Sequence, residues 1–268
     1  MKLALFIVDA FTEQPYAGNP AGVVLMPSAR DPHWMQEIAT ELNLSETAFV
    51  IAAEGGYRLQ WFTPKMEVDL CGHATLASAH ILWEQKKLRA DQAVRFATRS
   101  GELSAHRSKD GWIEMDFPAE LVRATKPTAQ LAAAIGTPRD QIVWTGKSAD
   151  RLLVELKTEK AVRALRPDPV LLPRLKSSVG VIVTARSSTP KYDFVSRYFA
   201  PRKGVFEDPV TGTAHCVLGP YWGPKLDKTA MTGYQASLRG GWVQVALAAK
   251  RVLLSGKAVT VVRGEIDA

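Results

Sequence analysis

An internal repeat constrains the fold of this chain more than any other feature of its sequence. The first half contains WFTP at 61–64, and the second half contains YFAP at 198–201. Each of these segments is followed by a loop, a Gly-x-Ala segment (72–74 and 212–214) and a stretch with helical spacing. The repeat predicts two similar domains that are related by a pseudo-twofold axis.

The length of the chain fits this division. Its 268 residues are enough for two domains of about 130 residues each. A polar connector bracketed by two prolines separates the halves, so we expect an N-terminal domain at 1–120 and a C-terminal domain at 121–256. A final strand, expected at 259–263, would return to the first domain and add 257–268 to it.

Short β-like segments dominate both halves, and the helical segments are too few and too irregularly spaced for βαβ units. This pattern favours an α+β fold over a doubly wound parallel sheet. Asp31 and Pro32 form a favourable helix start, and Asn43 is a suitable left-handed cap for the end of the same helix. The expected helices lie at 32–42, 74–87, 128–135 and 213–222.

Composition excludes several classes of partner. Lys and Arg number 34 against 27 Asp and Glu, which gives a formal charge of +7. The excess is spread along the chain without a basic stripe of interleaved aromatic residues, so we expect no nucleic-acid partner. No segment approaches the ~18–20 apolar residues of a membrane span, so we expect no membrane partner.

The two cysteines, Cys71 and Cys216, lie far apart and do not form a disulfide framework. Their small number suits a reducing compartment. We therefore expect a soluble, cytoplasmic protein.

The Gly-x-Ala segments of the repeat begin two helices, at Gly72-His73 and at Gly212-Thr213. Glycine allows a ligand to approach the backbone closely. The first amides of a helix have no partner within the helix, and the helix dipole favours an anion there. Two such helix starts that face one cleft would bind a carboxylate without any lysine.

Four side chains near these helix starts can exchange protons, namely Glu46, Cys71, His73 and Asp208. Three of them also have a structural interpretation: Glu46 as an exposed glutamate at a strand start, His73 as a partly buried histidine, and Asp208 as a helix N-cap. A helix N-terminus would lower the pKa of His73 and keep it neutral. A neutral histidine and two carboxylates in one cleft would suit general acid–base catalysis.

A pair of thiols that act from opposite faces of a substrate carbon is an alternative. Cys71 precedes Gly72 and lies at a helix start that would lower the pKa of its thiol. Cys216 lies inside the second expected helix and is interpreted as a small core residue. A two-thiol mechanism would therefore lack its second cysteine.

Motifs for other chemistries are absent from the sequence. It contains no nucleotide-binding Gly-rich loop and no Gly-x-Ser-x-Gly elbow. Its five histidines do not show metal-ligand spacing with the cysteines. We therefore expect neither a cofactor nor a metal.

Four segments in order resemble the PhzF family, the phenazine-biosynthesis isomerase-like relatives of diaminopimelate epimerase. They are 18–22 (GNPAG), 44–49 (LSETAF), 62–75 (FTP to CGHAT) and 207–214 (EDPVTGTA). The resemblance covers nearly the whole chain. It implies two similar domains, each a β-barrel-like sheet around a central helix, with the active site between them, and a homodimer.

The resemblance also implies roles for particular residues. Glu46 matches the family's acid–base glutamate, and His73 and Asp208 match its assisting polar groups. The residues matched to substrate binding are Asn19, Gly72, His73, Gly212 and Thr213. Thr213 stands where the phenazine enzyme has serine, and 69–73 looks like another branch of the family.

The sequence thus predicts a cofactor-independent isomerase or epimerase of a small carboxylic acid, with general acid–base catalysis by Glu46, His73 and Asp208. One alternative is a cysteine-assisted amino-acid racemase or epimerase that uses Cys71. A second alternative is a non-catalytic binding or scaffold protein of the same fold.

Overall fold

The structure is a computed structural model that describes residues 2–148, 150–175 and 179–267. Its internal contacts divide the chain into two compact units. Unit 1 comprises Met1–Phe117 with Leu253–Ala268, and unit 2 comprises Pro118–Val252. The predicted domains, at 1–120 with 257–268 and at 121–256, stay a prediction.

Unit 1 contains most of the N-terminal strands and two helices. Its strands are β1 (Lys2–Ala10), β2 (Asn19–Met26), β3 (Glu46–Ala53), β4 (Gly56–Phe62), β5 (Glu67–Val68), β6 (Val94–Thr98), β7 (Gly101–Arg107), β8 (Ile113–Pro118) and the last strand of the chain, β18 (Ala258–Asp267). Its helices are α1 (Pro32–Leu42) and α2 (Gly72–Glu84). The last strand pairs antiparallel with β1.

Unit 2 has a similar content. Its strands are β9 (Arg123–Thr125), β10 (Ile142–Lys147), β11 (Arg151–Leu156), β12 (Gly180–Arg186), β13 (Phe194–Ala200), β14 (Val205–Asp208), β15 (Ala230–Gln235) and β16 (Gly241–Ala248). Its helices are α3 (Ala129–Ile135), α4 (Glu159–Ala164) and α5 (Gly212–Leu226), with 3-10 turns at Arg139–Gln141, Leu172–Arg174 and Pro201–Lys203. Strand β17 (Arg251–Gly256) carries the chain from unit 2 back into unit 1.

The two units share one sequence of strand pairings. In unit 1, β1–β2 is antiparallel, β2–β3 parallel, β3–β4 antiparallel, β4–β6 parallel and β6–β7 antiparallel. In unit 2, β10–β11, β11–β12, β12–β13, β13–β15 and β15–β16 follow the same alternation. The repeat in the sequence therefore corresponds to a repeated supersecondary structure, and the predicted α+β class is confirmed.

Helix α1 begins and ends as its sequence predicts. The Asp31 side chain caps it by accepting a hydrogen bond from the backbone amide of His33 at 2.9 Å, and Pro32 follows in the first turn. Asn43 ends the helix in the left-handed conformation, with φ of 48°. Met35 and Ala39 form its buried side. A cap of this kind contributes about 1 kcal/mol to helix stability.

Helices α2 and α5 are the buried helices of their units. Every residue of α2 from Gly72 to Ala79 is buried, which explains why apolar residues surround this helix instead of forming one stripe. α2 begins at Gly72, two residues before the expected start, and Cys71 is its N-cap. α5 continues beyond Trp222 to Leu226, although it contains two prolines.

Among the residues that the structure describes, no helix combines the length and the apolar composition that crossing a lipid bilayer would need.

Candidate active site

Four polar side chains meet at one end of the strands β2 and β3. Asn19 is the first residue of β2, and Glu46 is the first residue of β3. The two strands are parallel, and Glu46 is the register partner of Ala21, so both strands start at the same edge. Cys71 and His73 reach this edge from the beginning of α2. We call these four residues the unit 1 half-site.

The imidazole of His73 lies at the centre of the unit 1 half-site. Its Nδ1 is 3.2 Å from the amide Nδ2 of Asn19 and 3.5 Å from the thiol Sγ of Cys71. Its Nε2 is 3.3 Å from Oε2 of Glu46, but the ring N–H is not aligned with this oxygen, and Nε2 has no hydrogen-bond partner in the described parts of the chain. The His73 ring is thus anchored on one nitrogen only.

Burial controls the charge of His73. Loss of solvation lowers its pKa from 6.5 to about 3, so the ring is neutral at pH 7. The sequence predicted a neutral histidine because of the helix start, whereas the main physical cause is desolvation. The pair with Glu46 is therefore a contact between a neutral ring and a carboxyl group whose side chain is 18% exposed.

The same side chains are candidate metal ligands. One donor atom each from Glu46, Cys71 and His73 lies within 4.8 Å of the others. The sequence did not predict this grouping, since the residues are not spaced as a metal motif. The Cys71 thiol is close to Nδ1 and the Glu46 carboxyl to Nε2, on different sides of the ring. A single ion bound to one ring nitrogen does not fit both neighbours well.

A second half-site lies at the beginning of α5 in unit 2. Asp208 ends β14, and Thr211 is the N-cap of α5. The Thr211 hydroxyl donates to Oδ2 of Asp208 at 2.5 Å. Gln235 fixes both residues, because its Nε2 donates to the Asp208 carbonyl and its Oε1 accepts from the Thr211 amide. Asp208 is therefore not the N-cap, the structural alternative that the sequence left open.

The amides of Gly212 and Thr213 belong to the first turn of α5, and those of Gly72 and His73 to the first turn of α2. First-turn amides have no carbonyl partner within their own helix. They can therefore donate to an anion, as the sequence predicted for both Gly-x-Ala segments.

Arg151 is a residue of the unit 2 half-site that sequence reasoning missed. Its Nη1 donates to Oε2 of Glu120 at 2.7 Å and lies 2.9 Å from Oδ1 of Asp150. Its Nη2 donates to the Thr213 hydroxyl oxygen at 3.4 Å. The residue lies in no motif, so no signal in a single sequence pointed to it.

The units differ at the position of Glu46. The repeated phenylalanines give the equivalent positions: Phe62 pairs with Thr47 of β3, and Phe199 pairs with Val181 of β12. The residue before Thr47 is Glu46, and the residue before Val181 is Gly180. A Cβ atom at Gly180 would lie 2.2 Å from the hydroxyl oxygen of Tyr198. Unit 2 therefore has a buried tyrosine where unit 1 has a carboxyl group.

The structure brings together only part of the predicted site within each unit. Glu46, His73 and Gly72 are grouped in unit 1, and Asp208, Gly212 and Thr213 are grouped in unit 2. The side chain of Asn19, predicted to bind substrate, is fully buried beside His73. Asn19 can therefore affect a ligand through its contact with the His73 ring.

Cys216 lies inside α5, where burial raises the pKa of its thiol to about 12. A thiol with this pKa is a poor proton acceptor at pH 7. This agrees with its interpretation as a core residue.

Comparisons with known proteins identify the family and the fold of this chain. The family model for "Phenazine biosynthesis-like protein" (PhzC-PhzF) matches residues 8–264. An uncharacterised isomerase of Halalkalibacterium halodurans is 48% identical over 267 residues, with 99% of each chain covered. A crystal structure of a PhzF-family phenazine biosynthesis protein from Enterococcus faecalis has a TM-score of 0.94 and 40% identity, with both chains covered completely.

A more distant structure extends the likeness of the fold. A hydroxyproline epimerase from Agrobacterium vitis has a TM-score of 0.64 at 11% identity and covers 99% of this chain and 92% of its own. At this identity only the fold is shared. Together with the match along almost the whole sequence, these comparisons show that the chain belongs to the PhzC-PhzF family of phenazine biosynthesis-like proteins.

Proposed function

We propose that this protein is a cofactor-independent isomerase or epimerase of a small carboxylic acid. Glu46 removes a proton from an acidified carbon of the substrate and returns it at the same or another position. The names of relatives such as the isomerase of Halalkalibacterium halodurans support the reaction class. The substrate and the proton-transfer steps are inferred from the residues.

The contact between Glu46 and His73 carries this proposal. A general base needs a carboxyl group that reaches solvent or ligand, and the Glu46 side chain is 18% exposed while His73 is 4% exposed. The neutral ring beside it provides a dipole without a competing positive charge. A carboxyl group in this position can gain and lose a proton repeatedly, as an isomerase requires.

The helix-start amides would hold the substrate carboxylate. Removal of a proton next to a carboxylate builds negative charge on the substrate. Backbone amides stabilise this charge without titrating, and one such donor contributes about 3–4 kcal/mol to transition-state binding in known enzymes. We assign this role to the first-turn amides at Gly72-His73 and Gly212-Thr213.

We further propose that both half-sites contact one ligand in a cleft, as the resemblance to the PhzF family implies. In this arrangement Asp208 orients the substrate, and the Thr213 hydroxyl contacts its polar end. Unit 1 contributes the base, and unit 2 contributes anchoring groups. The replacement of a carboxyl group by the Gly180 and Tyr198 pair supports this division of roles.

Deuterium incorporation tests the proposal without knowledge of the product. The protein is incubated in heavy water with cyclic and amino carboxylic acids, and exchange of carbon-bound hydrogen is followed by NMR. The variant Glu46→Gln should slow exchange by about 10²-fold or more. Glu54→Gln, at an exposed position just after β3, is the matched control and should exchange like the parent.

The outcomes separate the candidate functions. Equal exchange by Glu46→Gln and the parent would contradict the assignment of the base. If the parent and both variants bind an acid tightly but none of them exchanges its hydrogen, a non-catalytic binding role would be favoured.

A cysteine-assisted racemase or epimerase is the second candidate. One observation favours it: Cys71 occupies the N-cap position of α2, and its Sγ lies 3.5 Å from Nδ1 of His73, which could accept the thiol proton. In this mechanism alkylation of Cys71 abolishes exchange. The unfavourable pKa of Cys216 means that a second base would have to be found elsewhere.

We also propose that the protein is a cytoplasmic homodimer, as the family resemblance and the cysteine content suggest. Light scattering at micromolar concentration tests the dimer, and a monomeric mass would contradict it.

A further inference from the structure

We propose that Asn19 is a positioning residue that holds His73 in the tautomer with its hydrogen on Nε2, and so makes the ring a hydrogen-bond donor to the substrate. The inference rests on the proposed function for its mechanistic meaning. The tautomer itself is a property of the protein without any ligand.

The direction of one hydrogen bond fixes the tautomer. A neutral imidazole carries one hydrogen, on either Nδ1 or Nε2. Nδ2 of Asn19 can only donate, and it lies 3.2 Å from Nδ1 of His73. Nδ1 must therefore be the acceptor, and the hydrogen must be on Nε2.

The burial of this pair makes the preference strong. Asn19 and His73 are both buried, so water does not compete for the bond. A buried polar group without a partner is costly, which disfavours the opposite tautomer, in which two N–H groups would face each other. The Cys71 thiol beside Nδ1 can also donate to this nitrogen.

The other ring nitrogen then has an unmet requirement. Nε2 of His73 is buried and has no hydrogen-bond partner within the described ranges. In the proposed tautomer it carries a hydrogen, and the nearby acceptor, Oε2 of Glu46 at 3.3 Å, does not form a hydrogen bond with it. A substrate oxygen, carried by a carbonyl or carboxylate next to the reacting carbon, is the group that satisfies it.

This assignment gives His73 a defined part in the reaction. A neutral ring that donates from Nε2 polarises a substrate oxygen, so that negative charge develops on that oxygen when Glu46 takes the proton. No proton leaves His73 in this step. The ring cannot also be the base at Nε2, because that nitrogen has no free lone pair.

A second buried histidine provides an internal reference. His215 places Nδ1 2.8 Å from the carbonyl oxygen of Thr211, which can only accept, so its hydrogen must be on Nδ1. Burial lowers the pKa of His215 to about 4, so it is also neutral at pH 7. The two buried histidines should therefore show opposite tautomers in one spectrum.

Long-range ¹H–¹⁵N correlation spectra of the full chain with labelled histidine, recorded at pH 7 without any ligand, test the proposal. Loss of signals in His73→Gln and His215→Gln assigns the two rings. We expect Nε2 to be protonated in His73 and Nδ1 to be protonated in His215. An Nδ1-protonated His73 in the parent protein would overturn the proposal, and this measurement needs no substitution at Asn19.

The variant Asn19→Asp tests the cause. An ionised carboxylate only accepts, so the hydrogen of His73 should move to Nδ1, while His215 keeps its pattern. An unchanged His73 pattern in folded Asn19→Asp would show that Asn19 does not set the tautomer. Because no substrate is present, failure here is distinguishable from failure of the exchange experiment.

Discussion

Arg151 donates from Nη2 to the hydroxyl oxygen of Thr213 at 3.4 Å while its Nη1 is bound by Glu120 at 2.7 Å. The Thr213 oxygen thus accepts from the protein, which leaves its hydrogen available for a ligand. The side chain of Arg151 is 11% exposed and is also close to Asp150. The cation therefore links two carboxylates to the beginning of α5.

Replacing this cation should destabilise unit 2. In Arg151→Leu, Glu120 and Asp150 lose the positive charge with which both of them pair. We expect a loss of about 2 kcal/mol in the free energy of unfolding, less than the ~3–5 kcal/mol of fully buried pairs, because both carboxylates are partly exposed. Urea denaturation followed by circular dichroism measures it.

Arg89→Leu is the matched control. Arg89 is 81% exposed and pairs with the exposed Asp91, so its loss should change stability by less than about 0.5 kcal/mol. Equal stability of Arg151→Leu and Arg89→Leu would contradict the structural role of Arg151.

The two buried histidines predict a pH dependence of stability. Burial lowers the pKa of His73 to about 3 and of His215 to about 4, against 6.5 for the unfolded chain. Below pH 6.5 the unfolded state binds protons that the folded state does not. The free energy of unfolding should therefore fall by about 1.4 kcal/mol per pH unit for each histidine as the pH decreases.

Substitution of His215 isolates one of these contributions. Between pH 6.5 and 4.5, His215→Gln should show a slope that is smaller by about 1.4 kcal/mol per pH unit than that of the parent. His33→Gln, at an exposed position, should keep the parent slope. Parallel curves for His215→Gln and the parent would mean that His215 is protonated in the folded state.

Gly180 provides a test of the difference between the units. A methyl group there would lie 2.2 Å from the hydroxyl of Tyr198, which is 4% exposed and cannot move into solvent. Gly180→Ala should therefore cost about 1–3 kcal/mol of stability through overpacking. Gly264→Ala, where the added Cβ has nothing within 4 Å, should cost nothing measurable. Equal melting temperatures for the two variants would contradict this packing.

Local signals explain what the sequence could predict. Asp31, Pro32 and Asn43 act on the backbone of their own helix. The bounds of α1 therefore followed from the residue preferences of helix starts and ends. The repeat was visible because both copies keep an aromatic residue, a proline and a glycine in order. Its full pairing scheme came only from the structure.

Non-local signals were missed for physical reasons. Strand β15 (Ala230–Gln235) contains Gly233, which packs against the ring of Phe194 and breaks the alternation that predicts a strand. Helix α4 (Glu159–Ala164) is too short for a periodic pattern. Arg151 contacts Glu120 and Thr213, which are distant in the sequence. Contacts of this kind produce no local sequence motif.

The contribution of Cys71 to proton transfer can be separated from that of Glu46. If Glu46 is the base, Cys71→Ser should retain deuterium exchange to within about tenfold, because a hydroxyl can still donate to Nδ1 of His73. If Cys71 is the base, exchange should fall by about 10²-fold or more. Cys216→Ser changes the other buried thiol, which donates to the carbonyl of Gly212, and its melting temperature shows the general effect of such a change on stability.

The final prediction concerns Asp208, whose carboxyl group is already committed within the protein. It accepts from the Thr211 hydroxyl, and Gln235 holds its backbone carbonyl at 2.7 Å. Asp208→Asn keeps an acceptor for Thr211 and leaves the Gln235 contact intact, so folding should change little. It removes a negative charge near the first-turn amides but no proton-cycling base. We therefore expect exchange to fall by about tenfold, against about 10²-fold for Glu46→Gln. A larger loss in Asp208→Asn than in Glu46→Gln, at unchanged melting temperature, would reassign the base to unit 2.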